Sequence, residues 1–583
     1  MSRLAGTGAT LGAALLVGAV LVPAASAAPQ PSGAASTYVV QARSGTLRSV
    51  TGQLGQSGGR VLRALPALDS AIVRMPASAA ARWRADGRVV SVVPDSHLHL
   101  LSDNSYDPSS DVNSMLNIES TVGARSAWSK GTGAGIDVAL IDSGISPVAG
   151  LNSPGKVLNG PDLSFDSQND NVRYLDEYGH GTHMAGIIAG HDAGVTAGPD
   201  TGSQPFMGMA PDARLVNVKV ADAHGVTDVS QVIAGIDWVV EHAHDPGMNI
   251  RVLNLSFGTN SSQSYLIDPL AYAAEVAWRN GIVVVASAGN SGAASGRLTS
   301  PAIDPFVIAV GADDTHGSNG INDDTIPSFS SNGDGTRNPD LVAPGVHVQS
   351  LRDPGSYLDN QYASTGAIND RFFRGSGTSQ AAAVVSGAVA LLLQAHPDAR
   401  PSQVKAMLDQ NANVLPSAQQ QAQGNGLLSL KGIMGGNLNP YRAQGFTRGT
   451  GGGSLNAARG ASIVSLNGVP LNTESDIFGN PVDTGQLAAV EDAQNAWNGG
   501  TWNGTSWAGD GWNGTSWAGT SWAGTSWAGT SWAGTSWAGS SWADGTWTGT
   551  SWAGTSWAGT SWAGTSWAGT SWAGSSWATN DWS

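Results

Sequence analysis

Between about residue 120 and residue 430 the chain alternates short apolar runs with longer stretches of helical period. The runs GIDVALIDSG, ARLVNVKVAD, RVLNLSFG, GIVVVASAGN and PFVIAVGA put Val, Ile, Leu and Ala on consecutive positions. That pattern suits strands buried on both faces. Between them, SQVIAGIDWVVEHA, DPLAYAAEVAWRN and TSQAAAVVSGAVALLLQAH space their apolar residues as helices with a covered side do. The alternation predicts an α/β domain over 110–430, a mostly parallel sheet sandwiched by helices. A span of about 300 residues buries enough apolar surface to need no disulfides, and the chain contains no Cys.

Upstream the elements are shorter. TYVVQA, TLRSVTGQLGQ, RVLRALPAL, SAIVRM, ASAAARWRADG and VVSVVPD read strand, helix, strand, strand, helix, strand. This βαββαβ order over 36–100 predicts a ferredoxin-like unit. It carries eight Arg against three Asp, whereas the whole chain has a formal net charge of -16. A basic unit beside an acidic remainder predicts that the two bind each other. The first 27 residues combine Arg3, an apolar small-residue run and Ala25-Ser26-Ala27, the layout of a cleaved secretory signal. Secretion, with a soluble or wall-associated product, is the expectation. The acidic balance argues against nucleic acid or an anionic membrane as the main partner.

Residues 431–495 are rich in Gly and Asn with little period, so a linker or small hairpin region is expected there. From Trp497 to Trp582 every fifth residue is Trp, defining a repeat tail over 496–583. A period of five matches neither strand nor helix, so a continuous array needs a bend in every repeat. Two readings stand, a stacked β-solenoid or a flexible Gly/Ser/Thr-rich tract. Exposed indoles can stack on sugar rings, which suggests cell-wall polysaccharide as a partner; a spacer or self-association segment is the alternative.

Chemistry-bearing residues cluster where strands give way to loops, the usual position of sites in open parallel sheets. Asp142 ends VALID; alone it reads as a turn-starting Asx residue. His180 and His183 lie in YGHGTHMAG. A zinc site would want a third ligand close by, whereas a general base wants a carboxylate to orient it, and Asp142 qualifies. Ser379 opens a long helix, whose free N–H groups suit a developing oxyanion or, more simply, an N-cap. Asn290 follows the buried run VVVASAG and offers an amide donor or a turn residue.

Asp, His and Ser in this chain order, with ALIDSGI, HGTHMAG, LNLSFG, ASAGNSG, VAPG and GTSQAAA around them, resemble the subtilase family of serine proteases. The resemblance implies Ser379 as nucleophile, His180 as general base and acid, and Asp142 as its orienting carboxylate. It implies Asn290 and the Ser379 N–H as the oxyanion hole. Ser256-Phe257-Gly258 would pair with an extended protein or peptide substrate, and Ser287-Ala288-Gly289 would wall the pocket before the scissile bond. No charge lies in those segments, so a broad, mainly apolar preference is expected. The 36–100 unit resembles the family's propeptide, an intramolecular inhibitor and folding chaperone, removed by self-cleavage near 97–110.

Acid residues at positions 180 and 290 would have indicated the related Ser-Glu-Asp carboxyl proteases; His and Asn stand there instead. The loop GHDAGVTAGPDTGSQPFMG departs from the family's usual calcium loop, so no metal ligand is assigned and no cofactor is required, with structural calcium left open. Gln380 and Ala383 replace the family's usual Met and Pro. Without a thioether beside the nucleophile, activity is expected to survive peroxide. Rapid inactivation with oxidation mapped next to Ser379 would contradict this. Two other functions compete with a general endopeptidase: a wall- or matrix-binding protein on a protease scaffold, and a dedicated processing protease for one co-secreted partner.

Overall fold

The computed structural model describes residues 35–56, 58–66, 69–94, 106–169, 171–199, 201–203, 205–318, 320–435, 444–466 and 469–506. The expected signal segment, most of the 97–110 cleavage region and the repeats after 506 lie outside them. The chain divides into two compact units, Met1–Leu101 and Ser102–Ser583.

In the first unit the elements run β1 (Ala35–Ala42), α1 (Leu47–Gln56), β2 (Arg60–Leu65), β3 (Ser70–Pro76), α2 (Ala77–Arg84) and β4 (Val89–Pro94). The sheet is antiparallel in the order β2-β3-β1-β4. Val40, Val50, Leu54, Val73, Met75 and Trp83 form its own small core.

The second unit is built on seven parallel strands: β5 (Asp137–Asp142), β6 (Val157–Asp162), β7 (Arg214–Lys219), β8 (Ile250–Leu255), β9 (Val283–Ser287), β10 (Ile308–Asp313) and β11 (Leu341–Pro344). Their order is β11-β10-β9-β8-β5-β7-β6. The chain begins on β5, fills one side with β6 and β7, then crosses to the other side for β8 to β11. The strand order therefore reverses around β5, the place where open parallel sheets carry their sites at the carboxyl ends. Strands β5, β9 and β10 are buried at every position, as their unbroken apolar runs require.

Two helices matter most there, His180–Ala189 and Thr378–Ala395, and they pack against each other. Both are made largely of small residues because backbone must come close to backbone there. A side chain at Gly387, for example, would put its Cβ 2.4 Å from that of Met209. Below the sheet, Lys405 is buried with its ammonium 2.8 Å from the Pro305 carbonyl and 2.7 Å from that of Val307. Asp340 completes the cage at 2.9 Å. Burial pulls the Lys405 pKa down, and Asp340 opposes that pull.

The region read from sequence as a linker is instead largely folded. Leu455, Val464, Ile477, Phe478 and Leu487 join the main core, although their irregular spacing gave no period to read. The hairpin part of that expectation corresponds to a short pairing of Ser465–Leu466 with Val469–Pro470. Buried Arg459 grips Asp228, the N-cap of helix Val229–His242, through Nε at 2.6 Å and Nη2 at 3.2 Å.

The first two tail repeats also fold inward. Trp497–Asn498, Thr501–Trp502 and Thr505–Ser506 form a three-stranded meander in which Trp497 and Trp502 are direct cross-strand partners. Trp497 donates its indole N–H to the Ala234 carbonyl at 2.9 Å, and Trp502, fully buried, donates to Asp237 at 2.7 Å. The boundary expected at residue 496 thus falls inside folded structure, because these two indoles are buried and hydrogen-bonded to helix Val229–His242.

Burial pushes Asp237 up to about 8, with Glu241 adding repulsion and the Trp502 hydrogen bond opposing it. An acid whose folded pKa is raised holds its proton in the folded state over a range where the unfolded chain has lost it. Its stabilising share is full below about pH 4 and is lost as pH climbs through about 8. We expect denaturant stability to fall across that window, and Asp237→Asn to flatten the fall. An unchanged slope in the variant would contradict the assignment.

Candidate active site

Asp142 is the last residue of β5 and is fully buried. Its carboxylate meets Nδ1 of His180 at 2.8 Å through Oδ1 and 3.0 Å through Oδ2. Burial raises the Asp142 pKa, while His180 and the Ser143 backbone N–H hold it down. The chain turns sharply at Gly144, where φ is +115° and a Cβ would come within 2.4 Å of the Leu175 carbonyl oxygen. That turn carries the backbone away from Asp142 and leaves its carboxylate facing the His180 helix.

A second carboxylate supports the first. Asp176 accepts from Gly179 N–H at 2.7 Å and Thr182 N–H at 2.6 Å, so it caps the helix that carries His180. It also accepts from the Ser143 hydroxyl at 2.8 Å, and that hydroxyl in turn accepts from Gly181 N–H at 3.0 Å. Neither residue was singled out from sequence, although an acid four positions before His180 is a recognisable helix-start signal. His183, by contrast, is buried with Nε2 3.2 Å from the Phe373 carbonyl. Burial drives its pKa down to about 3, which keeps it a neutral, structural imidazole.

Ser379 sits in the first turn of its helix, almost fully buried. Its hydroxyl donates to the Ser256 carbonyl at 3.3 Å, and the Ser256 hydroxyl donates back to the Ser379 carbonyl at 3.2 Å. Asn254 and Ser386 extend this buried polar chain, tying the helix to the end of β8. Among the described hydrogen bonds, then, Asp142 is joined to His180 and Ser379 to Ser256, with the Ser379 hydroxyl turned toward Ser256.

Asn290 lies just beyond β9. Its Oδ1 accepts from Thr378 N–H at 2.9 Å and from the Thr378 hydroxyl at 3.0 Å. Because a backbone N–H must meet an acceptor, this fixes the amide orientation and leaves Nδ2 on the other side. Thr378 is a positioning residue that sequence reasoning passed over, since its work is done on a neighbour. Ser256, Phe257 and Gly258 follow β8 directly, with the Phe257 side chain buried, so the backbone is what this segment offers. Ser287 ends β9, and Ala288 and Gly289 follow it. They are linked to Thr299 by its N–H to Ala288 at 3.1 Å and its hydroxyl to Ser287 at 3.3 Å. No group of three or more His, Cys, Asp or Glu residues with metal-binding geometry occurs among the described residues.

A seven-stranded parallel sheet with a buried Asp–His pair and a helix-borne serine at its strand ends holds the parts from which serine hydrolases are built. Residues 133–426 match the Subtilase family (Peptidase_S8), half of the chain, and the chain belongs to that family of serine proteases. It is 38% identical to Serine protease AprX of Bacillus subtilis (strain 168) over 48% of this chain and 61% of that protein. To Minor extracellular protease Epr of the same organism it is 33% identical, over 53% of this chain and 40% of Epr. To Subtilisin Savinase of Lederbergia lenta it is 35% identical, over 53% of this chain and 95% of Savinase. The match thus spans less than two thirds of AprX and of Epr, and nearly all of Savinase.

Proposed function

We propose that this chain is a secreted serine endopeptidase that cuts peptide bonds through an acyl-enzyme, with Asp142, His180 and Ser379 as its triad. The observation that carries the reading is the buried Asp142–His180 hydrogen bond at 2.8 Å beside the Ser379 helix. Asp142 fixes the tautomer with the proton on Nδ1, so Nε2 is the base. Rotation of the Ser379 hydroxyl away from Ser256 hands its proton to Nε2 as Oγ attacks the substrate carbonyl. The resulting oxyanion is held by Asn290 Nδ2 and the Ser379 N–H. His180 then gives the proton to the leaving amine, and water reverses the sequence to release the acyl group.

Substrate lies along Ser256-Phe257-Gly258 as an added strand, with Ser287-Ala288-Gly289 beside the residue before the cut. The lack of charge in both segments supports a broad, mainly apolar preference. The first unit acts as an intramolecular inhibitor and is cut off by the enzyme itself; its element order and basic charge support this role. The N-terminal signal pattern, and the extracellular relative Epr, support secretion. The tail positions the enzyme at a cell wall or matrix.

Labelling with a serine-directed fluorophosphonate tests the reading. The processed chain is expected to label, and Ser379→Ala is expected not to. No labelling of correctly processed wild type would overturn it. A Ser379→Ala precursor that still lost its first unit in isolation would overturn self-processing.

A further inference from the structure

Asp313 ends β10, three strands along the sheet from β5. The chain then passes through DTHGSNGINDD and returns to pair Thr325 with Asp314, N–H to carbonyl at 2.9 Å and 3.1 Å. Side chains alternate across such a pair. Asp314 and Thr325 share one face, so Asp313 and Asp324 share the other.

Both aspartates are essentially inaccessible, and all four of their carboxylate oxygens lack a hydrogen-bond partner. No other buried carboxylate among the described residues is left without a partner on both oxygens. Other buried acids in this chain are met by a counter-charge, as at Asp340 with Lys405 and Asp228 with Arg459, or by a hydrogen-bond donor, as at Asp237 with Trp502. Here the groups acting on the pair are Asp314, Asp323 and His316, of which only His316 can carry positive charge. Two neighbouring carboxylates without solvent or counter-ion are strongly disfavoured. Burial, with the Asp324 and Asp314 charges, pushes Asp313 up to about 8; burial, with Asp323 and Asp314, pushes Asp324 up to about 6 against the pull of His316.

We propose that Asp313 and Asp324 form a binding site for a calcium-class divalent cation, with backbone carbonyls and water completing its shell. Calcium takes six to eight oxygen ligands in adaptable geometry, whereas magnesium demands a tight octahedron and sheds water reluctantly. An irregular loop with carboxylate oxygens suits the former. The cation would pin three segments together. The Asp313 carbonyl accepts from Gly345 N–H at 2.9 Å, and the Asp324 carbonyl accepts from the Ser417 hydroxyl at 2.8 Å. The site does not depend on the triad, so it stands or falls independently of the protease reading.

The test uses the full chain carrying Ser379→Ala, which removes self-digestion, after stripping with a chelator. Equilibrium dialysis with calcium alone, and thermal unfolding in chelator against millimolar calcium, give stoichiometry and Tm. We expect Asp313→Asn/Asp324→Asn to bind one calcium fewer per chain and to lose the calcium-dependent rise in Tm attributable to that ion. The same Tm in chelator, or a higher one, is expected of it, because repulsion is relieved. Asp324→Asn alone should weaken the affinity at least about tenfold. A parent chain with no calcium bound and no Tm response would overturn the proposal, whether or not the variants fold. So would a folded double variant with the parent's stoichiometry and shift. An equal response to magnesium would overturn the choice of calcium.

Discussion

Ser379→Ala is expected to lower kcat by on the order of 10⁶-fold, and His180→Ala by about as much. The two act as one unit, since Oγ without a base is a poor nucleophile and the base without Oγ has nothing to activate. Asp142→Asn should cost less, about 10⁴-fold, because the imidazole remains but is held in the wrong tautomer. The Asp142 carboxylate accepts the Nδ1 proton at 2.8 Å in a fully buried setting, where an amide would donate instead. Residual activity above that of water is expected in all three, since Asn290 and the backbone donors remain. Turnover of an apolar chromogenic peptide by in vitro matured enzyme, with the first unit supplied separately, measures all of this. An Asp142→Asn enzyme with near-normal kcat would show that the buried pair is structural and the assignment wrong.

Arg459→Ala is expected to cost about 3–5 kcal/mol of stability, the range for breaking a buried ion pair from one side. Asp228 would be left charged and enclosed at the start of helix Val229–His242, although its bonds to Ser230 and Gln231 would stay. The carbonyls of Thr473 and Ser475, now met by Arg459 at 2.7 Å and 2.6 Å, would also lose their donor. Arg459→Lys should recover only part of the loss, because one ammonium cannot reach a forked carboxylate and two carbonyls together. Urea unfolding of both variants in the Ser379→Ala background reads the difference. A loss under about 1 kcal/mol would mean that the extension is a passive covering.

What the sequence made legible follows a physical line. Strands β5, β9 and β10 announced themselves because burial on both faces leaves little room for a polar position inside the run. Asp142, His180, Asn290 and Ser379 stood out because each breaks an apolar or small-residue stretch at its end. Asp176, Ser143 and Thr378 were not legible, since they act by holding backbone or neighbouring amides rather than by carrying chemistry. The fold of 431–495, read as a linker or small hairpin region, was not legible because its buried residues come singly, from loops, with no repeat to betray them. Trp497 and Trp502 looked like the other tail indoles, and only their burial and hydrogen bonds to helix Val229–His242 distinguish them.

The Lys405 cage has a consequence of its own. A free ion leaves when its surroundings run short of it; an ammonium on the polypeptide cannot be diluted or chelated away. The corner joining Pro305, Val307 and Asp340 therefore keeps its cation where a chelator or dilution would strip a free ion. Its vulnerability is of another kind, loss of the proton, which burial makes easier than for a free lysine, or a reagent small enough to reach a buried amine.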